Sequence, residues 1–210
     1  ALLISEKSGE AEVVVISMGP DRTQKVIREG LAKGADRGIH IKEQNHIEKD
    51  PLTIAKAFTS VLEEENFDLV LTGLQSDDTG MGQTGVLIGE MLGFSTATLA
   101  VETNLENDYK IKIKRELESG WFQWITMPLP ASISIQSGLN SPRYPSLKGI
   151  MGAKKKDIKV VDYEMNKEPM QTIDNVSIPN SSKQTEIIDC DPEEAVDRIV
   201  DILKSEIKVI

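Results

Sequence analysis

Short, mainly apolar runs alternate along this chain with segments whose apolar residues recur every three or four. The sequences EVVVIS at 12–17, GIHI at 38–41, LVL at 69–71 and ASISI at 131–135 are runs of the first kind. A strand that is apolar on both faces belongs to a sheet covered by helices on both sides, as parallel sheets are. Val26, Ile27 and Leu31 in one segment, and Ile54, Phe58, Val61 and Leu62 in another, have helical spacing. Asp21 is placed to cap the first helix and Gly34 to end it, while Asp50 with Pro51 opens the second. Strand and helix in alternation require parallel pairing through right-handed crossovers. The predicted fold class is therefore α/β, a doubly wound, mostly parallel sheet.

Beyond Gly93 the period changes. Residues 96–102 read as a strand, and YKIKIKR at 109–115 and WFQWI at 121–125 alternate around a Ser119-Gly120 turn, which predicts an antiparallel excursion with one solvated face. The segment 136–147, QSGLNSPRYPSL, follows a strand with polar and turn residues and is expected at the same sheet edge as the loop after 69–71. The lysine run 154–156 reads as a solvated turn. Past it the periodicity fades, with Pro169 and Pro179 in a polar stretch, so the chain divides into a core at 1–156 and an arm with a docking helix at 157–210. Asp191-Pro192-Glu193-Glu194 is the helix start there, with Val196, Ile199, Val200 and Leu203 on one face. At the other end, ALLISEK reads as the back half of an amphipathic helix with no initiating Met, so a truncated N-terminus is expected.

The stretch 68–85, DLVLTGLQSDDTGMGQTG, is where a ligand is expected. A strand stops at Gly73, a loop of small and polar residues follows, and Gln83-Thr84-Gly85 opens a helix carrying Val86, Leu87, Met91 and Leu92, with Gly93 as its cap. Ligands of open α/β sheets sit beyond the carboxyl ends of the strands, and a helix N-terminus offers free N–H donors to an anion, so the expected guest carries phosphate. Residues 80–85 match the GxGxxG string of dinucleotide folds, but polar residues separate the match from the strand, which weakens it. A plain Gly/Asp turn is the other reading of the same residues.

Composition narrows the function classes. A net charge of −10 opposes a nucleic-acid partner, and no apolar run approaches the roughly 20 residues of a membrane span. A single cysteine, Cys190, rules out an internal disulfide and suits a reducing, cytoplasmic compartment. No nucleophile–base pair, redox cysteine pair or metal cluster is legible; His40 in a strand and His46 in a polar loop read as structural. Trp121, Phe122 and Trp124 suggest either a flavin stack or, better, packing of the hairpin against another subunit.

SMGPDR at 17–22, LAKGADRGIHI at 31–41, the 75–85 loop, IKRELESG at 113–120 and LNSPRYPSLKGIMGAKKKDI at 139–158 together resemble the β subunit of electron transfer flavoprotein, in order and spacing, over nearly the whole chain. Ser119 and Ser132 depart from that pattern, and the family's first strand and loop precede the point where this chain starts. The resemblance implies an electron carrier rather than an enzyme, a heterodimer in which an α subunit holds most of the FAD, and flavin-containing dehydrogenases as electron donors. It implies a mitochondrial matrix location if the source is eukaryotic. It further implies a nucleotide on this chain, AMP in preference to a second FAD: Met18 and Gly19 facing the adenine, and Ser76, Asp78, Gln83, Thr84 and Gly85 along the phosphate side. Met165, in the arm spanning 159–189, falls where the family presents an apolar anchor to its dehydrogenases, with simple packing as the other reading. A free-standing nucleotide-binding module of the stress-protein type, or an ATP-hydrolysing relative, shares the same architecture.

Overall fold

The computed structural model describes residues 1–44, 49–107, 109–163, 169–178, 185 and 187–209. Two compact units divide the chain, Ala1–Thr172 and Ile173–Ile210.

The first unit is an α/β structure with parallel pairing, as the alternation predicts, but its strands form two sheets. β1 (Val14–Gly19), β2 (Arg37–Lys42) and β8 (Ile158–Asp162) make a parallel sheet in the order β1-β2-β8. β3 (Leu69–Gly73), β7 (Ala131–Ile135), β4 (Ser95–Asn107), β5 (Lys110–Glu116) and β6 (Phe122–Pro128) make the second, in the order β3-β7-β4-β5-β6. The β3-β7-β4 part is parallel and β4-β5-β6 antiparallel, so the alternating excursion is found as expected. β1 and β3, apolar enough to predict burial on both faces, are edge strands and most of their residues are only half-buried. Hydrophobicity reports the faces of a strand and carries no information about which edges find a partner.

Helices cover the sheets. α2 (Thr23–Lys33) buries Ile27 and Leu31 against Val13 and Val15, and ends at Gly34 as predicted. Asp21 does not cap it. The amides of Thr23, Gln24 and Lys25 bond the carbonyls three residues back, so the first turn needs no side-chain acceptor, and Asp21 pairs instead with Lys42 at 2.9 Å. α3 (Pro51–Leu62) starts as predicted, with the Thr53 amide donating to Asp50 at 2.8 Å. α4 (Thr84–Met91) packs on α3, and Ile16 of β1, Val70 of β3, Leu62 and Ile88 share one cluster beneath them. A short α1 (Leu2–Ser8) precedes β1.

Two elements between 139 and 162 escaped the sequence reading. α5 (Leu147–Ala153), capped by Ser146, lies against α2 so closely that a Cβ on Gly149 would sit 2.3 Å from the Ala32 carbonyl. The two helices cap one another: Arg28 donates to the carbonyls of Ala153 and Lys156, and Lys156 Nζ to those of Leu31 and Ala35. Lys156 is thus a C-terminal cap of α2, not part of a solvated turn; cations satisfy the unpaired carbonyls and the negative end of a helix. β8 then takes its place beside β2, so the first unit continues past Lys156 to Thr172. Each of these contacts joins residues more than a hundred positions apart, beyond the reach of any local pattern.

In the second unit, described residues 173–178 form neither helix nor strand. α6 (Pro192–Asp201) begins at the predicted signal, Asp191 accepting from the Glu193 and Glu194 amides, and runs into a π-helical turn at Ile202–Ile207. None of its residues is buried within the unit, and Val196 and Ile199 are exposed.

A candidate nucleotide site at the carboxyl ends of β1 and β3

β3 ends at Gly73, and the following loop is a tight polar turn. The Gly80 amide bonds the Ser76 carbonyl at 3.0 Å, the Ser76 and Thr79 hydroxyls lie 3.0 Å apart, and the Thr79 amide donates to Asp78 at 2.7 Å. Gly80 (φ 60) and Gly82 (φ 63) take left-handed dihedrals that a Cβ disfavours, which is why glycine stands there. The Ser76 hydroxyl, aided by the Thr79 amide, holds the Asp78 carboxyl below its ordinary range. Asp78 is therefore an ionised brace of the turn. With Asp77 beside it, a phosphate must be met by N–H donors rather than by these side chains.

Such donors stand at the start of α4. Asp50, Ser146 and Asp191 cap α3, α5 and α6 with side-chain oxygens, whereas Gln83 makes no cap bond at α4. The first-turn amides of α4 thus lack a side-chain acceptor, and the positive end of the helix is uncompensated by any acidic residue in that turn. Ser76, Asp78 and Gln83 are exposed, Thr84 half-buried and Gly85 buried. Gly85 lies on the sheet: a Cβ there would come within 2.1 Å of Thr72 Oγ1, and its carbonyl accepts from the Ser132 hydroxyl at 3.1 Å. The loop, the helix start and the sheet edge are one construction.

Sequence reasoning missed Thr72 and Ser134. They are direct partners across β3 and β7, and the hydroxyl of each is buried without a hydrogen-bond partner. A lone small hydroxyl in an apolar strand is unremarkable by itself, and only the register brings the two together.

Met18 and Gly19 end β1 on the other sheet. Met18 packs its side chain with Ile39, Ile41 and Val61, which leaves its backbone as the group available to a ligand. Gly19 is buried, with φ 150, and its carbonyl accepts from the ring of His40 at 2.8 Å and from the Glu43 amide at 3.2 Å. Met165 and His46 lie outside the described residues. Trp121, Phe122 and Trp124 are exposed on the hairpin, with Lys114 Nζ 4.4 Å from the Phe122 ring and Lys112 Nζ 5.2 Å from the Trp124 ring. A shallow apolar depression lined by Leu99, Leu117, Glu118 and Trp121 lies beside them and contains none of the predicted site residues. Among the described residues no group of acidic, histidine or cysteine side chains could hold a metal, and no helix is long and apolar enough to cross a membrane.

A family model for the electron transfer flavoprotein domain matches residues 1–165, the span containing both strand ends and the α4 loop. The chain belongs to this family. It is 40% identical over 165 residues to electron transfer flavoprotein subunit beta of Bos taurus, covering 77% of this chain and 63% of that protein. The subunit of the same name from Bradyrhizobium diazoefficiens is 42% identical over 166 residues, 78% of this chain and 65% of the relative. The mitochondrial subunit beta of Arabidopsis thaliana is 37% identical over 214 residues, covering 100% of this chain and 82% of the relative. The matches thus span less than two thirds of the length of the first two relatives.

The turn and the start of α4 together suit an anion. Glycine backbone and an uncapped helix start supply N–H donors there.

Proposed function

We propose that this chain is the β subunit of an electron transfer flavoprotein, an electron carrier and not a catalyst in its own right. The observation that carries the reading is the open α4 N-terminus behind a glycine turn, within the segment that the family model matches. In this reading the chain holds AMP. The adenine lies along the backbone of Met18 and Gly19, and the phosphate takes N–H groups of Gly82, Gln83, Thr84 and Gly85 near the Ser76–Asp78 turn. The doubly wound, adenine-nucleotide-binding arrangement implied by the resemblance is part of the same proposal. FAD, held mainly by an α subunit, supplies the one-electron and two-electron redox chemistry. This chain's residues would position and shield it: the sequence has a single cysteine, and no metal-binding group stands among the described residues.

The partner is then an FAD-bearing α chain in an interface well above about 2,000 Å², the size of obligate pairs. Flavin-containing dehydrogenases are the electron donors, a downstream acceptor takes the electrons, and the setting is the cytoplasm, or the mitochondrial matrix in a eukaryote. Exposed Trp121, Phe122 and Trp124 on the hairpin, and Val196 and Ile199 on α6, are apolar surface of the kind a subunit covers. Of the arm expected at 159–189, the part beyond β8, with Met165 as its anchor, is assigned to dehydrogenase docking.

Denaturing the protein as purified with its partner and identifying the released nucleotides by chromatography and mass tests the reading. One AMP and one FAD per heterodimer are expected. Two FAD and no AMP would replace AMP by a second flavin, and a stable monomer carrying stoichiometric reducible flavin would overturn the division of roles.

A further inference from the structure

His40 is wholly buried in the middle strand of the β1-β2-β8 sheet, paired in register with Ser17 and Val160. Its ring reaches past that rung to the end of β1, where Nε2 lies 2.8 Å from the Gly19 carbonyl oxygen. A carbonyl only accepts, so Nε2 carries the proton and the tautomer is fixed. Nδ1 is then a bare acceptor, and it is buried with no partner. An apolar side chain of similar size would be buried at this position of β2 without leaving such an orphan. What the imidazole adds is one donor, aimed at the backbone of the chain's turn out of β1.

That turn is fastened from three sides. The Gly19 oxygen takes both the His40 proton and the Glu43 amide at 3.2 Å, and Asp21, two residues on, is held by Lys42 at 2.9 Å. Gly19 itself has φ 150, a conformation open to glycine, so nothing local keeps its peptide in one orientation. All three fasteners come from β2 or its continuation, and the His40 bond is the one made inside the core.

We propose that His40 is a positioning residue for nucleotide binding: its Nε2–H fixes the Gly19 peptide, and with it the Met18–Gly19 backbone that meets the adenine. This rests on the nucleotide reading given above. It assigns no contact with the nucleotide to the ring itself.

Glutamine carries an N–H donor at the place of Nε2, whereas phenylalanine keeps the ring volume and removes the donor. Two readouts on the purified protein separate the outcomes, AMP affinity by calorimetry and hydrogen exchange of the peptide covering Gly19 to Thr23. His40→Phe is expected to weaken AMP binding about tenfold and to accelerate exchange in that peptide about tenfold, and His40→Gln is expected to restore both to within about threefold of wild type. If the Phe variant does not fold, His40→Asn, which is too short to reach Gly19, should give the same losses. Wild-type exchange and affinity in the Phe or Asn variant would overturn the proposal. Failure of Gln to rescue would overturn it as well, since a packing role is lost equally in both. An exchange effect without any AMP binding by the wild type would refute the nucleotide reading while leaving the fastening of the turn in place.

Discussion

Gly85 is one of two points, with Gly89, where α4 lies close on the sheet, and Gly85→Ala tests whether that closeness is as tight as described. An added Cβ would lie 2.1 Å from Thr72 Oγ1, 3.0 Å from Thr72 Cβ and 3.2 Å from Thr72 Cγ2. Rotating Thr72 about χ1 moves Oγ1 away, but the 3.0 Å approach to Cβ does not depend on the rotamer, so the helix or the strand must shift by a few tenths of an ångström. Overpacking of this kind costs about 1–3 kcal/mol. Against it stands the gain of alanine over glycine in a helix, at most about 1 kcal/mol and less in a first turn. The net expectation is a loss of about 1–2 kcal/mol, a fall in Tm of roughly 3–6 °C for a chain of this length. Denaturant melts of wild type, Gly85→Ala, Thr72→Ala and the double variant form a cycle, because the two residues touch and their effects must couple. Thr72→Ala removes Oγ1 and Cγ2 together, so the cost of Gly85→Ala should shrink by about 1 kcal/mol in that background. A Gly85→Ala protein as stable as wild type, or two additive single effects, would show that α4 does not rest on Thr72 and would remove the basis for placing its first-turn amides beside the sheet edge.

Asp50 caps α3 and, through its second oxygen, accepts from the amides of Met170 (2.7 Å) and Gln171 (3.2 Å), so Asp50→Ala should cost about 1–3 kcal/mol and speed hydrogen exchange at residues 170 and 171. Burial pushes the Asp50 carboxyl up, but the hydrogen bonds from Thr53, Met170 and Gln171 outweigh it and hold the group below its ordinary 3.8. A depressed carboxyl contributes stability that is complete above its unfolded value and lost as pH falls through the folded one. The gap between wild type and Asp50→Ala should therefore be flat from about pH 7 to 5 and close below about pH 4; a gap that widens with acid would contradict the bonding. Met165→Ala should raise the KM for the carrier in dehydrogenase turnover about tenfold, about 1.4 kcal/mol, with flavin content and heterodimer stability unchanged; unaffected turnover, or a heterodimer that falls apart, would make Met165 a packing residue.

The sequence by itself determined what is local. Asp50-Pro51 and Asp191-Pro192 start helices where predicted because a cap needs only its own next three residues, and ASISI at 131–135 is a strand to the residue, its isoleucines alternating with serines right after Pro130. The α4 loop was legible for the same reason, its glycines and the uncapped helix start being written in consecutive positions. Tertiary structure alone decided pairing. That β1 and β3 are edges of separate sheets, that β8 returns beside β2, and that Lys156 caps a helix ending more than a hundred residues earlier all follow from which surfaces meet. The same holds in the site. Thr72 and Ser134 become a pair of unpartnered hydroxyls, and His40 a brace for Gly19, only when strands from distant parts of the chain lie in register, because a buried donor acquires its role from the atom placed opposite it.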